Sequence, residues 1–166
     1  MQNKRSKHSL SELEIEARMR PGAFSRSGFL GPGDRLAEVI ERDRQTLCDL
    51  RLTVSEIASA LESLIVAAEL SPSRHAQVGS FVCRLRIHQG FQLCPWTLDP
   101  NAGQCKTGGG VRHASVDWYI TNTETQAEMV GPGLIVHLIR DHSFFEGPGS
   151  PNRVDPARLA QLLALV

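Results

Sequence analysis

Residues 81–96 read FVCRLRIHQGFQLCPW, and here the spacing of apolar side chains changes character. Phe81, Cys83, Leu85 and Ile87 alternate with Val82, Arg84, Arg86 and His88. A period of two puts neighbouring side chains on opposite faces, so this stretch predicts a half-buried strand. Gln89-Gly90 marks a kink or bulge, and Phe91 to Trp96 reads as extended again up to Pro95. Upstream the period is helical. Asp34 is the expected N-cap of a first helix, in which Leu36, Val39, Ile40, Leu47 and Leu50 recur three and four residues apart. Thr53 and Glu56 form a capping box ahead of Ile57, Ala60, Leu61, Leu64, Ile65 and Ala68. Ser71-Pro72-Ser73 closes that element, giving a helical hairpin over residues 34–72. Residues 71–80 read as a polar connector.

Downstream, Val116, Trp118 and Ile120 mark another strand, and Thr123 to Gln126 turn the chain toward Ala127 to Val130. LIVHLIRDHSFFEG, residues 134–147, is apolar nearly all round, which predicts a helix over 134–144 buried against the sheet. Asp155 with Pro156 behind it predicts the cap and first residue of a last helix. Helices, then antiparallel strands, then helices define an α+β fold. The helical hairpin accompanies a small antiparallel sheet packed on a buried helix and a C-terminal helix, with the α+β unit over residues 78–166. Residues 1–33 read as an irregular arm. Leu10, Leu13, Ile15 and Met19 hint at a turn or two of amphipathic helix there, and Lys4, Arg5 and Lys7 make a basic tip.

The chain has 166 residues, 41% hydrophobic and 22% charged, with 18 basic against 18 acidic side chains. Such a balance excludes whole-chain disorder and the strong one-sign field of a dedicated nucleic-acid or membrane-surface binder. No apolar run approaches the ~18 residues that span a bilayer, and the opening stretch lacks a secretory core. A cytoplasmic protein is expected, so the four cysteines read as thiols or metal ligands rather than a disulfide framework.

The chemistry concentrates in Cys94 at a strand end, Cys105 in a glycine-rich loop, and His137 and His142 on one short helix. Thiolate and imidazole suit zinc in tetrahedral sets, and four of them fill a structural site. His137 and His142 are five residues apart, which turns an ideal helix by about 500° and leaves the imidazoles ~140° apart. The final turn must therefore loosen, with Phe144 to Gly147 the expected place. His88, His113 and Cys83 are substitutes should one of the four fail, although Cys83 alternates with core residues.

A hairpin giving two cysteines and a helix giving two histidines is similar in outline to a Cys2His2 zinc finger, over residues 91–145. Fingers set their cysteines two to four residues apart, whereas ten residues separate Cys94 from Cys105 and 31 separate Cys105 from His137. The resemblance implies the ligand chemistry and not DNA reading. A second phrase, LTVSEIASAL over residues 52–61, resembles the first helix of bacterial helix-turn-helix regulators, but no turn follows at the spacing that motif needs. GQCKTGGG, with Gly103, Lys106 and Thr107, lacks the upstream glycine of a phosphate loop.

The expected function is a small zinc-containing interaction or regulatory protein, with a structural metal and a protein partner or self-association. One alternative is a metal-dependent hydrolase on the His137/His142 helix with Asp141 or Glu146 as base, Asp117 being a further carboxylate nearby. The other is a nucleic-acid-binding regulator using the 53–70 helix. Arg84, Arg86 and His88 share a polar strand face open to a ligand or to solvent.

Overall fold

A computed structural model of the chain describes residues 10–101, 105, 107 and 112–166. The basic tip, and Gly103, Lys106 and Gly108 to Gly110 of the glycine-rich loop, lie outside the described residues. Among the described residues, five helices and four strands follow in the order α1 (Glu12–Arg18), α2 (Leu36–Asp49), α3 (Val54–Leu70), β1 (His75–Val78), β2 (Phe81–Ile87), β3 (Val116–Asn122), β4 (Ala127–Pro132), α4 (Ile135–His142) and α5 (Pro156–Leu162). The strands form one antiparallel sheet in chain order, so the fold is α+β.

The sheet buries one face. Cys83, Leu85, Trp118 and Ile120 point into the core, as the period of two predicts. α3 lies over β1 and β2 and also packs on α4, while α2 and β4 both pack on α5. Gly131 faces the Trp118 ring, where an added Cβ would meet Cζ2 at 2.5 Å, so the indole lies in space that only glycine leaves. The Trp118 Nε1–H donates to Pro132 O at 3.1 Å, which satisfies its one polar atom in the core.

Residues 71–80 are not all connector. His75–Val78 forms an edge strand, in register with Arg84 to Phe81, and returns through a turn with Gly79 at φ +58°. Its side chains are largely exposed, so it carries no alternation of burial for a hydrophobic pattern to report. The N-terminal arm also holds a helix. Ser11 and Glu14 make a capping box, Ile15 and Glu16 are buried, and Met19, Phe29 and Leu30 enter the core.

Asp34 does not cap α2. Its Oδ2 accepts from Gly31 N–H at 2.7 Å and Gly149 N–H at 2.9 Å, tying the arm to the loop before α5. Backbones meet closely there, and a Cβ on Gly31 would lie 2.5 Å from the Gly149 Cα. The first N–H of α2, that of Leu36, donates instead to Glu16 Oε2 of α1 at 3.0 Å. Burial alone would raise the Glu16 carboxyl, but the Leu36 N–H, Arg35 and Arg20 outweigh it and hold the group below the usual range.

The capping box of α3 and the Asp155 cap of α5 form as expected. α4 is shorter than 134–144: it ends at His142, and Ser143 takes the left-handed region at φ 53°. Ser143 N–H then donates to Ile139 O and Phe144 N–H to Leu138 O, which satisfies two terminal carbonyls. Phe144 and Phe145 are consequently buried outside the helix.

Candidate metal centre

Between β2 and β3 the chain leaves the sheet and returns, and its two limbs are stitched by backbone bonds, His88 N–H to Ser115 O at 2.7 Å and Gln92 N–H to Ala114 O at 3.0 Å. Cys94 and Cys105 lie on this excursion. α1 secures its first part, because Arg18 Nη1 donates to Pro95 O at 3.1 Å and to Thr97 O at 2.5 Å. α4 supplies His137 from its first turn and His142 as its last residue.

These four side chains converge. One ligand atom from each of Cys94, Cys105, His137 and His142 lies within 4.8 Å of all the others. His142 Nε2 is 3.4 Å from Cys94 Sγ and 3.3 Å from Cys105 Sγ. For tetrahedral zinc, bonds of ~2.3 Å to sulfur and ~2.0–2.1 Å to nitrogen put S and N about 3.6 Å apart. Both sulfur–nitrogen separations are near that figure. The His137 and His142 rings stand 5.0 Å apart and nearly perpendicular, at 84°. The loosening expected from the sequence does not fall between them: α4 stays helical through His142, and the left-handed Ser143 follows both histidines.

Cys94, Cys105 and His137 are buried, and His142 is half-buried. Burial pushes the Cys94 thiol well above its usual range, with Cys105 and Asp141 adding to the shift. Burial, then the neighbouring His137, lowers His142 to about 4. His137 is also lowered by burial, against the pull of Asp141. Both imidazoles are thus neutral at physiological pH, the form that ligates a metal. A bound cation would reverse the balance at the sulfurs, since it stabilises thiolate directly.

His137 carries the sharpest polar demand. Its Nδ1 makes an ion-pair contact with Asp141 Oδ2 at 2.6 Å that is poorly aligned for a hydrogen bond, and neither buried ring nitrogen has a hydrogen-bond partner among the described residues. An orphaned buried nitrogen costs about 1–3 kcal/mol, and an ion at the centre of the four donors would remove that cost. Asp141 Oδ2 also accepts from Thr107 Oγ1 at 3.2 Å. Trp96 lies flat on His142, with ring centroids 4.1 Å apart and planes at 4°, and meets Phe144 edge-on at 5.6 Å.

The substitute ligands lie elsewhere. His88 Nε2 pairs with Asp117 Oδ2 at 2.7 Å, half-exposed. His113 is held between Glu69 and Glu62 of α3, at 2.6 and 3.2 Å. Cys83 is in the core, where burial and then Glu69 push its thiol up to about 11. Cys48 is exposed on α2. Neither carboxylate suggested as a hydrolytic base is free for that work. Asp141 is turned to His137 and Thr107, and Glu146 is fully buried with Oε2 accepting from Ser150 Oγ at 2.5 Å.

Sequence reasoning missed Trp96 as a neighbour of the centre and read Asp141 only as a base. Signals for both exist, since Trp96 follows Cys94 by two residues and Asp141 follows His137 by four, one helical turn away. The helix-turn-helix phrase forms part of α3, which runs unbroken for 17 residues into Leu70 and is followed by β1 rather than a second helix. Arg84, on the polar strand face, lies over the Tyr119 ring at 5.1 Å. Among the described residues no helix is long and apolar enough to cross a membrane. Compared with known protein families, characterised proteins and solved structures, the chain matches none.

Proposed function

We propose that Cys94, Cys105, His137 and His142 bind one zinc ion in a closed site, and that the protein is a zinc-containing interaction or regulatory protein in which the metal is structural. The observation that carries this reading is the convergence of four soft and borderline donors from three separate places in the chain, each within 4.8 Å of the rest. Sulfur and imidazole in a tetrahedral set suit zinc. A two-iron cluster divides its ligands between two metals, so a set this tight suits a single ion better.

Four protein ligands fill the sphere and leave no position for a water nucleophile. Bound there, zinc supplies a cross-link whose binding energy is folding energy. The chain's own residues do the rest. The contact of Asp141 with His137 Nδ1 leaves Nε2 as the nitrogen to take the ion, Trp96 backs His142, and Arg18 holds the turn that follows Cys94. The cross-link joins the β2–β3 excursion to the end of α4, two parts of the chain that secondary structure leaves apart.

Elemental analysis of the purified protein tests this. Wild type should carry zinc at one ion per chain, and Cys94→Ser and His137→Ala should each lose it. Cobalt substitution should give the visible absorption of a tetrahedral sulfur–nitrogen site. Unchanged zinc content in both variants would show that the ligands are wrong.

A further inference from the structure

We propose that Cys94 and Cys105 form a peroxide-sensitive release for this centre, in which two-electron oxidation joins their sulfurs in a disulfide and frees the ion. The inference rests on the zinc reading above and adds its regulation. Of the cysteines, these two alone belong to the cluster, with Sγ atoms within 4.8 Å of each other and both against the same His142 Nε2. Ten residues lie between them, a span that closes at small entropic cost. Closing to the ~2 Å of a disulfide needs a movement of less than about 3 Å once no ion holds them apart.

The zinc-bound Cys105 thiolate, 4% exposed against 0% for Cys94, attacks a peroxide oxygen; an S–O bond forms, the O–O bond breaks and hydroxide leaves. The Cys94 thiolate then displaces hydroxide from that sulfenic sulfur, forming S–S as S–O breaks. Two sulfurs lose two electrons in all, the peroxide is reduced to two waters after protonation, and zinc departs with its sulfur ligands gone.

Topology gives the step its consequence. The metal ties Cys94 and Cys105 to α4, whereas the disulfide ties them only to each other. Oxidation therefore turns a link between distant segments into a staple within one excursion, and leaves His137 and His142 unbound at the end of α4.

The test uses full-length, zinc-loaded Cys48→Ser protein, which lacks the exposed thiol, with wild type alongside. Protein purified without zinc overturns both this inference and the zinc reading. With zinc present, hydrogen peroxide should release one ion per chain into a chelating dye and remove two titratable thiols. Peptide mapping should find Cys94 joined to Cys105, amide exchange should rise near residues 139–144, and a dithiol with added zinc should restore the starting state. Zinc retained with both thiols intact, or lost with sulfinic acids or intermolecular links in place of the Cys94–Cys105 bond, overturns the release and leaves the zinc reading standing.

Discussion

Trp96 and His142 are parallel within 4°, their ring centroids 4.1 Å apart, so the indole forms a wall behind the last residue of α4. A side chain at a helix end has few neighbours to fix its rotamer, and the stack supplies that restraint. Aromatic pairs contribute about 0.5–1.5 kcal/mol beyond area burial. Trp96→Ala should therefore weaken zinc binding about 2- to 13-fold, while Trp96→Phe, which keeps a ring, should recover most of the loss. Chelator competition measures both, and equal affinity in all three proteins would remove the positioning role.

The 2.6 Å approach of Asp141 Oδ2 to His137 Nδ1 predicts a larger effect. A carboxylate on the far nitrogen of a ligating histidine fixes its tautomer and raises its basicity, and losing such a partner typically costs 10- to 100-fold in metal affinity. Asp141→Asn should show a loss in that range with the metal-free protein melting as wild type does. Asp141→Ala, which cannot orient the ring at all, should lose more. A shift in thermal stability without a shift in zinc affinity would make Asp141 merely structural.

The α+β class was legible because β2 and β3 each have one face in the core, and because the caps of α3 and α5 are made by the side chains that the local capping rule names. β1 escaped notice since an exposed edge strand has no buried face to pattern. Asp34 misled for a related reason: a carboxylate ahead of a helix satisfies the local capping rule, yet tertiary contact with Gly149 took it and left Leu36 N–H to Glu16. In the centre, donor types were legible and their meeting was not. Ligand chemistry is written in residue identity, whereas the approach of Cys105 to α4 depends on a path that no periodicity describes.

Arg153 and Asp43 form a paired fork, Nη2 to Oδ1 at 2.6 Å and Nη1 to Oδ2 at 2.7 Å, between the loop before α5 and a buried position on α2. Removing one partner of a buried pair strands the other charge, at about 3–5 kcal/mol. Asp43→Ala should thus destabilise the protein to urea by roughly that amount. Arg153→Met combined with Asp43→Leu should recover part of it, since two apolar side chains leave no charge to bury. A loss below about 1 kcal/mol in the single variant, the range of an exposed pair, would show that the fork opens to water.

Glu146 gives the fold a pH dependence whose sign follows from its burial. The side chain is fully buried, and its Oε1 has no hydrogen-bond partner among the described residues. Burial raises its carboxyl to about 8, against the opposing effects of Ser150 and Arg153. Below pH 4.5, the ordinary value, folded and unfolded chains both hold the proton and the group costs nothing. Between there and about pH 8 the unfolded chain ionises freely while the folded one must keep its proton, so stability falls as pH rises. Glu146→Gln keeps the shape and an acceptor for Ser150 but cannot ionise. Its unfolding free energy should exceed that of wild type by on the order of 2–4 kcal/mol at pH 8 and by far less at pH 5, because each tenfold difference in proton affinity between folded and unfolded chains is worth about 1.4 kcal/mol. Urea titrations at the two pH values decide the matter: a difference between the proteins that is the same at both would mean that Glu146 already ionises inside the fold.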